Sequence, residues 1–181
     1  MVDTGIPVPT GKCVAFGTPP IVTPHNVETA TNMYAGRLVK RGTTDRDIVV
    51  NGAEGTPIGW LGYEQGDAYR PATVGTIYEA GDEAPVIRGG GFIPNAKLAA
   101  SQTIVKGDRL VPAADGMLQK ATAIAGVVPG STGDTTPVTS TSAKPAITMS
   151  GDVGALPVVA IAEETVTTTS TAANILVRSL I

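Results

Sequence analysis

Glycine and proline interrupt this chain so often that few segments between them could hold a helix of several turns: 22 glycines and 14 prolines are spread through 181 residues. Glycine frees the backbone for left-handed turns, while proline removes a donor and blocks the helix interior. Between the interruptions stand short runs of Val, Ile, Leu and Thr, which suit a pleated, half-buried surface. The expected fold is therefore mainly β: a compact barrel-like or sandwich β domain of short strands, with at most one or two short helices and an extended N-terminal arm. With one Trp, two Phe and four Tyr, the core has to be built from aliphatic side chains.

Charge narrows the function. Only 16% of residues are charged, and the formal net charge is −3 with a pI near 5.1. The longest basic run is Lys40-Arg41, far short of the concentrated basic face that nucleic acid demands. No apolar window reaches the roughly 18 residues of a membrane helix. The opening Met1-Val2-Asp3 lacks the basic and apolar regions of a signal peptide. A single cysteine, Cys13, leaves no internal disulfide. The expectation is a chain made in the cytoplasm that binds neither nucleic acid nor membrane.

Residues 1–24 read as an arm. Pro7, Pro9, Pro19, Pro20 and Pro24 preclude continuous helix or central strand, yet Ile6, Val8, Val14, Phe16, Ile21 and Val22 are apolar. Such a segment is expected to lie extended on a surface, either of a neighbouring chain or of its own domain. Thr23 as N-cap, Pro24 at the first helical position and Gly36 as terminator make residues 25–34 the best helix candidate. Residues 25–181 then form a single β-rich domain. Strands are expected at 38–39, 47–50, 58–63, 74–78 and, as an edge strand, 85–88. Asn51-Gly52 reads as a tight turn. Gly107-Asp108 leads into Arg109-Leu110-Val111, which meets Met117-Leu118-Gln119 across Asp115-Gly116, a hairpin signature. Further strands are expected at 125–128, 156–162 and 174–180. Residues 129–152, dominated by Ser, Thr, Gly and Pro, read as a surface insertion that could still form an extended ribbon. Residues 36–39 with 58–64, and 108–111 with 158–163, resemble two copies of one pattern: a strand, a turn-rich excursion, and an apolar strand ending in Glu. Shared β composition is enough to produce this likeness by chance.

No residue set announces a reaction. His25 is the only histidine and Cys13 the only cysteine, so a Cys/His zinc site has too few ligands. A Ser-His-Asp triad would need His25, and no Gly-x-Ser-x-Gly elbow supports it. Cys13, beside Lys12, reads better as a small buried side chain than as a nucleophile. Asp45 with Asp47, Asp82 with Glu83, and Glu163 with Glu164 read as solvated turn carboxylates. Arg88-Gly89-Gly90-Gly91 lacks the rest of a phosphate-binding loop and reads as a bend between strands. Trp60, Tyr63, Tyr69 and Tyr78 are either a ligand-stacking patch or anchors of core and interface, with Trp60 assigned to the core and Tyr69 to an interface or rim.

Thr31-Asn32-Met33-Tyr34-Ala35-Gly36-Arg37-Leu38-Val39, running into Gly59-Trp60-Leu61-Gly62-Tyr63-Glu64, resembles capsid decoration (cement) proteins of tailed viruses of bacteria and archaea. Ile104-Val105-Lys106-Gly107-Asp108-Arg109-Leu110-Val111 with Asp115-Gly116 is similar to a Gly-Asp-x-Leu-Val…Asp-Gly hairpin of small decoration and head-fibre proteins. The similarity runs from about residue 27 to the end. It implies a homotrimer on the outer face of an icosahedral shell, with the arm clamping neighbouring major capsid protein subunits, and with no enzymatic activity and no cofactor. On this reading Ile6, Val8, Val14, Phe16, Ile21, Val22 and Tyr69 contact the capsid or a sister subunit. The alternatives are a head-fibre or tail component, a carbohydrate-binding module using Trp60, Tyr63 and Tyr69, and a small hydrolase using Cys13 or His25.

Overall fold

The computed structural model describes residues 21–53, 55–63, 75–122, 125–127, 148–150 and 157–181, of which 125–127 and 148–150 are described by backbone alone. Strands β1 (Ile21–Val27), β2 (Leu38–Arg41), β3 (Asp47–Val50), β4 (Gly59–Leu61) and β5 (Glu83–Arg88) close into one barrel in the order β1-β3-β2-β4-β5. Strands β6 (Gly91–Leu98), β8 (Arg109–Pro112), β9 (Leu118–Lys120), β12 (Ala160–Ala162) and β14 (Ala173–Ser179) close into a second, in the order β12-β14-β6-β9-β8. Two pairs stand apart: β7 (Thr103–Ile104) with β13 (Val166–Thr167), and β10 (Ala125–Val127) with β11 (Thr148–Ser150).

The two barrels have one topology. In each, the first strand runs parallel to the third and antiparallel to the fifth, and the second lies antiparallel to the third and the fourth. The fourth and fifth strands pair antiparallel in both. The likeness between residues 36–64 and 108–163 thus corresponds to real strand pairs: Leu38 faces Trp60 across β2–β4, and Leu110 faces Ala160 across β8–β12. The excursion between third and fourth strands is short in the first barrel, residues 51–58, and long in the second, residues 121–159. The Ser/Thr-rich stretch falls in that second excursion, and its described part is the β11 side of a ribbon.

Alternation along the strands builds two cores. Val27, Val39, Ile48, Leu61, Ala84 and Val86 point into the first barrel with Met33 and Tyr78. Ile93, Leu98, Leu110, Leu118, Ile175 and Val177 fill the second. The opposite faces of β2, β4 and β5 present Leu38, Trp60 and Ile87, which stand in one row across the sheet. That row belongs to the same apolar cluster as the second barrel's interior. Trp60 is fully buried, and its Nε1–H donates to Ser179 Oγ at 3.0 Å. The Ser179 hydroxyl in turn donates to the Ile181 carbonyl at 2.8 Å.

Backbone ties complete the junction. Lys97 N–H donates to the Gly36 carbonyl, Gly116 N–H to the Asn51 carbonyl, and Gly89 N–H to the Ile181 carbonyl. The Arg37 guanidinium donates to the Asp115 carbonyl at 2.8 Å and lies 5.0 Å from the Tyr34 ring centroid. Gly89 and Gly90 form the bend expected of the glycine run, and it is the crossover from the first barrel to the second.

Several expectations are corrected. Residues 25–34 form no helix: β1 continues through Val27 and turns follow. Residues 85–88 belong to β5, which pairs on both sides, with β1 and with β4, and is no edge. Asn51-Gly52 does not join neighbouring strands. The β2–β3 hairpin turns at residues 42–46 instead, where the Glu28 carboxylate accepts from Thr43 N–H and Oγ1–H. Asn51 is buried, with its amide donating to the Gly52 and Gly55 carbonyls. Of the strand expected at 74–78, the described residues are turn and coil, and Tyr78 plugs the core with its hydroxyl on the Gly62 carbonyl. The hairpin at 109–119 forms as expected, with Val111 opposite Gln119.

The junction makes a differential prediction. Gly36 and Gly116 have φ of +84° and +67°, and an added Cβ would strike Asn95 backbone and the Leu38 carbonyl respectively. Gly81 has φ +92° but open space around it. In urea unfolding, Gly81→Ala is expected to cost about 1 kcal/mol, whereas Gly36→Ala and Gly116→Ala should each exceed about 2 kcal/mol by adding steric conflict to the dihedral cost. Trp60→Ala should cost about 3–5 kcal/mol.

Candidate interaction surface

Strand β1 is held unevenly along its length, and prolines explain why. The Val27 N–H donates to the Asp82 carbonyl, so odd-numbered residues of β1 hydrogen-bond to β5 and even-numbered ones face β3. Pro24 stands opposite Pro85, at a pair that exchanges no ladder bonds, which is where two prolines can meet. Its missing N–H faces the β3 side, and pairing with β3 begins only at Asn26. Residues 21–25 are therefore paired on one side alone.

Burial fades in the same direction. Val27 is buried, Thr23 and His25 are half-buried, and Ile21 and Val22 are 64% and 53% exposed. Ile21 pairs with Arg88, and the next residue, Gly89, binds Ile181, whose neighbour Leu180 is 50% exposed. Ile21 and Val22 are exposed on opposite faces of β1, and Leu180 is exposed near the end of the last strand. Ile21 and Val22 are the two members of the expected contact set that fall among the described residues. Ile6, Val8, Val14, Phe16 and Tyr69 lie outside them, as does Cys13. The segment read as an arm, residues 1–24, overlaps the first barrel, since residues 21–24 belong to β1.

Inside this end of the barrel sits the only imidazole. His25 Nδ1 lies 3.3 Å from the Arg46 carbonyl, an acceptor only, so Nδ1 carries the proton. Nε2 then accepts, from the Thr23 hydroxyl at 3.1 Å and from Arg88 Nη2 at 3.2 Å. Burial is the main force holding the ring below its usual pKa of 6.5. Its hydrogen bond to the Arg46 carbonyl opposes this, and the charges of Arg88 and Arg41 lower it further. A hydroxyl beside an imidazole suggests a nucleophile and its base, but here the base's lone pair already serves a guanidinium. Arg88 Nε is buried without a hydrogen-bond partner among the described residues.

Two of the carboxylates singled out in the sequence serve the backbone. Asp82 accepts from Glu79 N–H, and Glu164 accepts from Leu176 N–H where β12 has ended. Glu163 pairs with Lys106 and Arg178 at 3.7 and 3.5 Å. Asp108 accepts from Val105 N–H and pairs with Lys120 at 2.7 Å. The Lys120 hydrogen bond, with help from Val105, holds its carboxyl below the ordinary value. Among the described residues no three His, Cys, Asp or Glu side chains converge as metal ligands. Trp60 and Tyr78 are fully buried and cannot offer a face to a sugar, which removes the leading member of the stacking platform. The Arg88–His25–Thr23 cluster was invisible in the sequence, because only the β1–β5 register brings residue 88 to residue 25.

No protein-family model matches the chain, and no curated protein sequence matches it.

Two of the depressed groups, His25 and Asp108, predict separable acid responses. Since folding lowers the His25 pKa, its stabilisation is complete above pH 6.5 and is lost as pH falls toward the folded value. Urea unfolding should show the wild type losing more stability than His25→Asn between pH 7.5 and 5. Asp108 follows the same sign in a lower window, below its ordinary 3.8, so Asp108→Asn should flatten the curve only there.

Proposed function

We propose that this chain is a capsid decoration protein: a β body seated on the outer face of an icosahedral shell that, as a homotrimer, clamps neighbouring major capsid protein subunits through the segment leading into β1. The observation that supports this best is the exposed apolar start of β1, Ile21 and Val22, at the point where the proline-rich leader joins the first barrel. The sequence resemblance supplies the nature of the surface being gripped.

Energetics favour a multivalent grip. Burying one large aliphatic side chain contributes about 1.5–3 kcal/mol. Ordering leader backbone costs about 1–2 kcal/mol per residue, and prolines reduce that cost. One leader therefore binds weakly, whereas three linked copies gain about 10²–10⁴ in avidity. Closure also helps: a closed sheet leaves less strand edge to template aggregation among closely spaced copies than an open one.

The test is co-sedimentation with shells of the tailed virus whose genome encodes the chain. The full chain is expected to bind saturably at a fixed ratio and to have a trimer mass in solution. Deletion of residues 1–20, which spares β1, should leave the barrels folded by circular dichroism and weaken binding at least tenfold. Equal binding by the truncated chain, or no binding by the full chain, overturns the proposal.

A further inference from the structure

We propose that His25 is a latch, holding the first half of β1 in the barrel while its ring is neutral and releasing residues 21–25 when the ring is protonated. Three observations meet here. Residues 21–25 pair with β5 but not with β3. The ring ties this half-strand to both sides, through Nδ1–H to the Arg46 carbonyl next to β3 and through Nε2 to Arg88 on β5. Ile21 and Val22, being exposed, give up little apolar burial when they leave.

Protonation places a hydrogen on Nε2, facing Arg88 Nη2 at 3.2 Å. Two donors then oppose each other and two cations share one end of the barrel. The charged groups around the ring offer no relief. Arg41 at the end of β2 and Arg88 on β5 both act against the imidazolium. Arg46 precedes β3 and contributes its carbonyl to the ring. The nearest carboxylates in register, Asp47 on β3 and Glu83 on β5, are both paired with Asn26 and so lie on the outer face, opposite His25. Arg88 itself is the residue paired with Ile21, so its displacement loosens the ladder where β1 begins. Local opening of such a weakly held element needs far less free energy than global unfolding, and histidine titrates in the range where a modest acidification acts. The latch does not depend on what the leader grips.

Amide hydrogen exchange by NMR, expressed as protection factors to remove the intrinsic pH dependence, tests it in the full chain. From pH 7.5 to 5, protection at the Thr23 and His25 amides should fall at least tenfold in the wild type, with the midpoint of the His25 ring titration. Protection at Ile175 and Val177 in the second barrel should stay constant. In His25→Asn, which retains a donor for the Arg46 carbonyl, protection at residues 23 and 25 should not vary with pH. In Arg88→Gln the His25 midpoint should rise and the fall should shrink below threefold. Unchanged wild-type protection as His25 titrates, or an equal fall in His25→Asn, overturns the latch. Should the Asn variant not fold, a full tenfold fall persisting in Arg88→Gln does so.

Discussion

The structure turns on Trp60. A five-stranded barrel built from strands of three to seven residues has a small interior, and this chain has few aromatic side chains with which to enlarge it. Placing the one Trp on the outside of the first barrel looks wasteful until the second barrel is considered. There Trp60, between Leu38 and Ile87, becomes part of the second barrel's own apolar cluster. The second barrel's core is thereby enlarged by the outer face of the first, beside the first barrel's own separate core, and the fraction of surface removed from water rises with size. The indole N–H needs a partner at that depth, and Ser179 on the last strand supplies it.

Duplicated topology explains how the rest can vary around that junction. Each barrel closes through the same five pairings, so neither depends on the length of its excursions. The second barrel carries a long insertion between its third and fourth strands, where the first has residues 51–58. Loop closure grows costlier only slowly with length, which makes such an insertion tolerable. Polar side chains take over where strands stop. The Glu164 carboxylate meets a backbone N–H that β12 no longer reaches, and Asp108 anchors the turn before β8.

What could be read from the sequence was local. The hairpin from Arg109 to Gln119 was legible because its strands are adjacent and its turn residues, Asp115 and Gly116, both adopt left-handed backbone. The tandem pattern was visible as two similar strand pairs, although sequence could not separate duplication from shared composition. The misread helix at 25–34 shows the limit. Thr23-Pro24 has the chemistry of a helix start, and Pro24 argued against a strand. Its tolerance in β1 depends on a gap beside β3 and on a partner proline at position 85, neither of which is a local fact. Asn51-Gly52 failed for a related reason: Asn51 is buried, its amide bound to the local Gly52 and Gly55 carbonyls and its own carbonyl receiving Gly116 N–H from the second barrel. The His25 cluster was unreadable because Thr23, Arg46 and Arg88 converge only through two strand registers.

The same geometry separates a rigid body from a loosely held margin. Leu38, Trp60 and Ile87 are buried from both barrels, and glycines at 36 and 116 let backbone approach backbone at that seam. At the far end of β1 the order of forces reverses: one ladder in place of two, half-buried polar groups in place of a core, and exposed aliphatics beyond them. The proposed role of holding other subunits would use both regimes. In that role the seam would keep the body from deforming under load, and the margin would let the leading segment adapt to its surface without unfolding what lies behind it. The proline pair at 24 and 85 marks the boundary between them, because it ends β3's hold on β1 while costing the β5 ladder nothing.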